Sequence, residues 1–197
     1  MVQELDSMAS KTVTQTFGLI LGLAAIVAAA PFLWTIGAPR KDPTAGIGPG
    51  AAMPELVAQG WLNGDPLTRD ALKGKVVVIH SWFLTCPVCH RNMPELVSIQ
   101  REFAGSEDVV FIGLTTDDAT DLENVRRFLA KYEVTWPNAY GAAETIFGTG
   151  SELTGFKTEY FPGYWVIGRD GKVVWNKSMG RSMAALRDAV KQTLTDS

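Results

Sequence analysis

A long apolar run lies near the start of the chain. Residues 12 to 39 carry no charge, and Phe17 to Ile36 within them form twenty mostly apolar positions. A helix of that length spans about 30 Å, the thickness of a bilayer core. Trp34 suits the membrane interface, and Arg40 and Lys41 suit the headgroups. Pro31 kinks only the last turn, which a membrane helix tolerates. The pattern predicts a transmembrane anchor over 17–36, preceded by a short segment, 1–16. A cleaved signal peptide is the rival, because Ala28-Ala29-Ala30 resembles a small-residue cleavage site. Pro31 and the apolar run beyond it count against cleavage. A hydrophobic core helix is the third reading. Lys11 is the only basic residue before the run, whereas Arg40 and Lys41 come after it. The positive-inside count therefore favours a cytoplasmic carboxy-terminal part by one charge. Amino-terminal anchors commonly export the domain attached to them, and an extracytoplasmic domain is the expectation adopted.

Residues 37–54 are rich in Gly, Pro and Ala and read as a flexible tether. From Glu55 to Ser197 the pattern is that of a globular domain. Asn63-Gly64 signals a hairpin between Trp61-Leu62 and Pro66-Leu67. Lys75 to Trp82 is β-branched and apolar, as in a buried strand. Pro87 to about Phe103 reads as a helix. Val109 to Leu114 is a second buried strand. Asp121 to Tyr132 is helical, with Leu122, Val125, Phe128 and Leu129 on one face. Tyr164–Ile167 and Lys172–Trp175 flank Asp170-Gly171 as a hairpin, and Met183 to Leu194 is a closing helix. Alternating βαβ units succeeded by a hairpin and a helix imply an α/β domain, a mixed sheet flanked by helices.

Composition narrows the functional classes. Of the 197 residues, 46% are hydrophobic, which is enough for a real core. Net charge is −3 with no basic stripe, so nucleic-acid binding has no electrostatic basis. The only two cysteines are Cys86 and Cys89, in Cys86-Pro87-Val88-Cys89. A bridge between them closes so small a loop that it adds little stability by loop entropy. Reactivity explains the pair better than stapling does. The pair sits where a strand ends and a helix begins. There the positive end of the helix stabilises thiolate, which makes Cys86 a nucleophile near neutral pH.

These residues resemble the thioredoxin fold, and in particular its membrane-tethered TlpA/ResA type. Trp82 stands four residues before Cys86, at the family's usual Trp position. Pro94 lies where the family kinks its first long helix. Phe161-Pro162, just before the Tyr164-Trp165-Val166-Ile167 strand, matches the family's cis-proline element. The resemblance covers about residues 50 to 195. Three positions depart from it. His80 replaces a buried Asp or Asn, Thr85 replaces a frequent Trp, and Pro87-Val88 replaces Gly-Pro. Pro at the first of those two places occurs in oxidising members and in the accessory protein MauD, whose CPVC resembles this one.

The resemblance implies a thiol–disulfide oxidoreductase with no bound cofactor, acting as a reductase on protein substrates. Its partners are disulfide- or thiol-bearing proteins, an upstream thiol–disulfide electron donor, and the membrane through residues 17–36. Cys86 is the expected attacking thiol and the more exposed of the two. Cys89 is the shielded, resolving thiol. Pro162 is expected to be cis, leaving the Phe161 backbone free to pair with a substrate strand. Phe161, Pro162, Trp82, Pro87 and Val88 form the expected client-binding surface, with plain core as the alternative for Trp82, Tyr164 and Trp165. His80 is expected beneath the cysteines, either as acceptor of the Cys89 proton or as a neutral core histidine. His90 is either a charged neighbour that lowers the Cys86 pKa or a solvated surface residue. Asp117 and Asp118 are expected to be helix-capping acids. Oxidase or isomerase action on the same fold stays open. The other classes weighed are a c-type haem carrier using Cys86 to His90, a metal site using the cysteines with His90 or His80, and a peroxidase. Phe83 stands where a peroxidase needs Thr or Ser.

Overall fold

The computed structural model describes residues 46–148, 155–178 and 183–196. The anchor expected over 17–36 lies outside these residues. Among the described residues no helix is long and apolar enough to cross a membrane.

Six strands form one mixed sheet: β1 (Gly60–Leu62), β2 (Val76–Trp82), β3 (Val109–Thr115), β4 (Asn138–Tyr140), β5 (Gly163–Ile167) and β6 (Val173–Ser178), in the order β1-β4-β3-β2-β5-β6. β2 lies in its interior, parallel to β3 and antiparallel to β5. All seven of its residues are buried. That is why it reads as a continuous apolar run rather than an alternating one. Among the described residues there are four α-helices: α1 (Pro87–Phe103), α2 (Leu122–Lys131), α3 (Ala143–Phe147) and α4 (Ala184–Thr195).

The strand period of two divides the core. Val76, Val78 and Trp82 belong to one cluster with Cys86, Cys89, Met93 and Leu96 of the cysteine loop and α1, Phe128 of α2, and Leu186 and Val190 of α4. Val77 and Ile79 belong to the other, with Ile112, Ile146, Trp165 and Phe156. α1 runs through Pro94 as expected, ending at Phe103. The β5–β6 hairpin also forms as expected, with Gly171 at φ 76° in its turn.

Two expectations are corrected. Asn63-Gly64 does turn the chain, with Asn63 at φ 58°, but it makes no hairpin with Pro66-Leu67. β1 pairs instead with β4, Leu62 opposite Asn138. Pro66 has no N–H to give a ladder, and the distant strand supplies one. The end of the expected tether is also ordered into the domain. The Ile47 and Gly50 N–H groups donate to the Phe156 and Val173 carbonyls, both at 2.8 Å. Ala52 bridges Lys172, and Met53 is buried. Ile47 and Met53 are apolar residues in a Gly/Pro-rich stretch, and burying them draws the segment onto the sheet. β4 and α3 have no counterpart among the expected elements. They span three and five residues, too short for a periodic signal.

Candidate active site

The end of β2 and the start of α1 are separated by Phe83 to Cys86. Cys86 has an extended backbone and caps α1, its Sγ accepting the Cys89 N–H at 3.1 Å. Pro87 comes next, at the helix start, where a missing N–H costs nothing. The first turn of α1 carries no acidic residue, so no side chain of that turn offsets the positive end of the helix at Cys86. The two cysteines form a disulfide, with S–S 2.13 Å and Cα–Cα 5.3 Å.

Both sulfur-bearing residues are buried in this state, Cys86 at 2% exposure and Cys89 at 0%. Cys86, expected to be the more exposed of the two, is far less open than a surface thiol. Pro87 is exposed and Val88 half-buried. Phe83, Leu84, Val88 and Phe161 lie half-buried against the same core as the cysteines. The Phe83 and Phe161 rings meet edge to face at 5.0 Å.

The Phe161–Pro162 peptide bond is cis. It lies just beyond the last β2–β5 pair, Ser81 opposite Gly163. The Gly163 N–H donates to Ser81 Oγ at 3.0 Å, which ties the proline loop to the strand leading to Cys86. Trp82 is fully buried rather than on a rim. It stacks on Phe128 at 4.3 Å, and its indole N–H donates to Asn138 Oδ1 at 3.2 Å. Its expected place on the client-binding surface is therefore corrected to the core. Tyr164 and Trp165 are buried too.

His80 sits on β2 between Gly113 and Tyr164, at 2% exposure. Alternation puts it on the face of Val78 and Trp82, the face that packs with the cysteines. Its ring stacks on Tyr164 at 5.1 Å, and its Nδ1 has no hydrogen-bond partner among the described residues. Burial pushes its pKa down from 6.5 to about 3, so the imidazole is neutral. Burial likewise raises the Tyr164 hydroxyl well above its usual range. The Asn92 hydrogen bond opposes that shift and the Glu95 carboxylate adds to it.

His90 is not the solvated surface residue of one expectation. It is half-buried, edge-on to Phe128 at 4.9 Å, and holds the Leu84 carbonyl and the Tyr132 hydroxyl. Asp118 caps a short 3-10 turn by accepting the Thr120 N–H at 2.8 Å. Asp117 does something else: its Oδ2 accepts the Leu84 N–H at 2.8 Å, inside the loop that bears Cys86. The sequence signal for that contact was its place just past the end of β3. Parallel pairing brings the loops at the ends of β2 and β3 to the same edge of the sheet. Among the described residues no group of three or more His, Cys, Asp and Glu stands ready for a metal ion. The c-type haem reading finds no room, because Cys89 is enclosed among Met93 and Leu96.

Residues 49–190 match the Redoxin family. This chain belongs to the Redoxin family. It is 26% identical over 147 residues to the thiol-disulfide oxidoreductase YkuV of Bacillus subtilis, an alignment covering 73% of this chain and 95% of YkuV. It is 27% identical over 134 residues to the thiol-disulfide oxidoreductase ResA of Bacillus cereus, covering 68% and 72% of the two chains. In fold it is similar to a thioredoxin-like protein solved in its oxidized form, with TM-score 0.63, 24% identity, and 75% and 97% of the chains covered. It is also similar to a thiol-disulfide isomerase from Corynebacterium glutamicum, with TM-score 0.60, 21% identity, and 75% and 99% covered. Within the Redoxin family the chain is a thioredoxin-like protein of the TlpA/ResA type, a thiol–disulfide oxidoreductase whose Cys86 and Cys89 lie at disulfide distance.

The depressed pKa of His80 has a measurable sign. Its unfolded value, 6.5, exceeds the folded value of about 3, so the unfolded chain takes up the proton first. Stability from this group is complete above pH 6.5 and is lost as pH falls toward 3. The loss reaches about 2 kcal/mol by pH 5. Urea unfolding at pH 8 and pH 5 checks this: His80→Phe should remove most of that difference, and an unchanged difference would place the titration elsewhere.

Proposed function

We propose that this redoxin-family chain is a membrane-anchored reductase of protein disulfides, working outside the cytoplasmic membrane of a bacterium. The observation that carries the chemistry is the Cys86 Sγ at the start of α1, bonded to Cys89 and accepting its N–H. In the dithiol state the helix end favours the Cys86 thiolate. That thiolate attacks a substrate disulfide, forming a mixed disulfide and releasing one substrate thiolate. The Cys89 thiolate then attacks Cys86 Sγ, releasing the second substrate thiol and closing the Cys86–Cys89 bond. Two electrons pass to the substrate, and an upstream dithiol donor restores the pair.

The reducing direction is supported by the neutrality of the surroundings. His80 lends no positive charge to a thiolate, because burial keeps it uncharged. With little beyond the helix end to stabilise the dithiol form, the disulfide is the preferred product and the couple gives electrons away. The relatives YkuV and ResA, named thiol-disulfide oxidoreductases, support the same class. Phe161, Pro87 and Val88 form the client-contacting surface beside the pair, with the buried Pro162 shaping the loop that carries Phe161. The neutral His80 lies on the cysteine-facing side of β2 as a core ring rather than a base, because a group whose pKa burial holds near 3 does not keep a proton that a thiol gives up.

The reduction potential tests the direction. A value near −270 mV is expected for a reductase, and one near −120 mV would make the protein an oxidant. In the same preparation Cys89→Ala should accumulate a mixed disulfide through Cys86. If Cys89→Ala captures no client protein, the exchange reading fails.

His80→Phe should leave both formation and release of the mixed disulfide within about threefold of the parent rates. Rapid-mixing kinetics across pH 6–8 resolves the two steps, and a release step slowed about tenfold or more in the variant would make the histidine the base for Cys89.

The anchor at 17–36 rests on the length and apolarity of that run. A reporter fused after Ser197 should be active when it requires export. Activity confined to a cytoplasmic reporter would reverse the orientation.

A further inference from the structure

Leu84 is gripped by both of its main-chain polar groups. Its N–H donates to Asp117 Oδ2 at 2.8 Å, and its carbonyl lies 2.7 Å from His90 Nε2. A carbonyl oxygen only accepts, so Nε2 carries a proton. The other ring nitrogen, Nδ1, faces the Tyr132 hydroxyl at 3.0 Å. In the neutral ring it accepts from that hydroxyl. The grip is braced on both sides. The Thr115 hydroxyl donates to the same Asp117 oxygen, and the Asp117 carbonyl accepts the Gly141 N–H at 2.7 Å. Tyr132 caps the end of α2. The loop before Cys86 is thus fastened to the end of β3 by one bond and to the first turn of α1 and the end of α2 by the other.

We infer that Asp117 and His90 form a two-sided clamp on Leu84 that positions Cys86 for thiol exchange. This rests on Cys86 being the attacking thiol. Leu84 is two residues before Cys86 and one before the exposed Thr85. Releasing either bond frees the short stretch that sets where Cys86 Sγ meets the N–H groups of α1. A sulfur displaced from those donors loses the stabilisation of its thiolate. The clamp's two hydrogen bonds touch no sulfur. Asp117 and His90 are therefore positioning residues, acting on the reaction through the Leu84 backbone.

Charge and position make opposite predictions for Asp117. Removing a carboxylate near Cys86 favours the thiolate by Coulomb's law alone and shifts the couple toward the dithiol. Removing the clamp disfavours the thiolate and shifts the couple toward the disulfide. Asp117→Asn separates the two, since it loses the charge but keeps an oxygen to accept the Leu84 N–H.

The test is the equilibrium of the folded protein with glutathione, read together with the rate of Cys86 alkylation in the dithiol form at pH 7. Asp117→Ala and His90→Phe are each expected to shift the equilibrium about tenfold toward the disulfide, about 30 mV. Each should slow alkylation by a similar factor. Asp117→Asn and His90→Gln, which restore the acceptor and the donor, should recover most of the loss. The double variant should be no worse than the poorer single one, because both bonds act through one residue. A shift below threefold, a shift toward the dithiol in Asp117→Ala, or additive losses would each overturn the clamp. If Asp117→Ala does not fold, His90→Phe and His90→Gln decide the matter by the same readings. A mixed glutathione disulfide that accumulates in Cys86→Ala instead of Cys89→Ala would show that the attacking thiol is misassigned. The equilibrium shifts then judge the clamp alone.

Discussion

The complete burial of β2 is the constraint on which the rest of the structure depends. Seven successive residues lie out of water, all of them paired with β3 and the five from Val77 to Ser81 also with β5. Such a strand is held rigidly, so its last residue, Trp82, fixes the point from which the loop to Cys86 departs. Trp82 is locked further by its ring stack on Phe128 and its bond to Asn138. Only two polar side chains interrupt the strand, and each serves the site. Ser81 receives the Gly163 N–H and so fastens the cis-proline loop beside the cysteines. His80 lies under them as a buried, uncharged ring.

A neutral histidine at that depth changes the electrostatics of the site. A buried carboxylate there would repel a neighbouring thiolate whenever both were ionised, so their titrations would be coupled. An imidazole whose pKa is driven down to about 3 carries no charge over the range in which thiols titrate. The helix end stabilises charge on Cys86, and the histidine fills the space on the cysteine-facing side of β2 without adding a permanent field.

Much of this was legible from the chain alone, for a local reason. The strand and helix flanking the cysteines, the proline inside α1 and the β5–β6 hairpin each carry a short-range signature of apolar runs, prolines or an Asp-Gly turn. The cis bond at Pro162 was expected from family likeness, since nothing local forces it. The features that escaped were long-range. The Asn63-Gly64 turn was correctly placed, but β1 finds its partner more than seventy residues away. The Gly/Pro-rich stretch looked like a tether because composition does not show that Ile47 and Met53 have a sheet face to cover. Trp82 looked like a rim residue because its indole partner, Asn138, is fifty-six positions distant. Asp117 beside Asp118 read as a pair of caps, and only one of them caps.

Side-chain charge is scarce around Cys86, and this decides how its reactivity is controlled. The first turn of α1 holds no acid, His80 is neutral, and the disulfide is nearly enclosed. The favourable field at Cys86 then comes chiefly from backbone N–H groups, and their effect falls off within a single helical turn. A field of that kind is sensitive to position rather than to pH or distant charge. A displacement of the sulfur by an ångström matters more here than in a site where a cation tracks the thiolate as a mobile partner. This gives a physical reason for fixing Leu84 at both its N–H and its carbonyl. A site that relies on the main chain for its electrostatics needs that main chain held still.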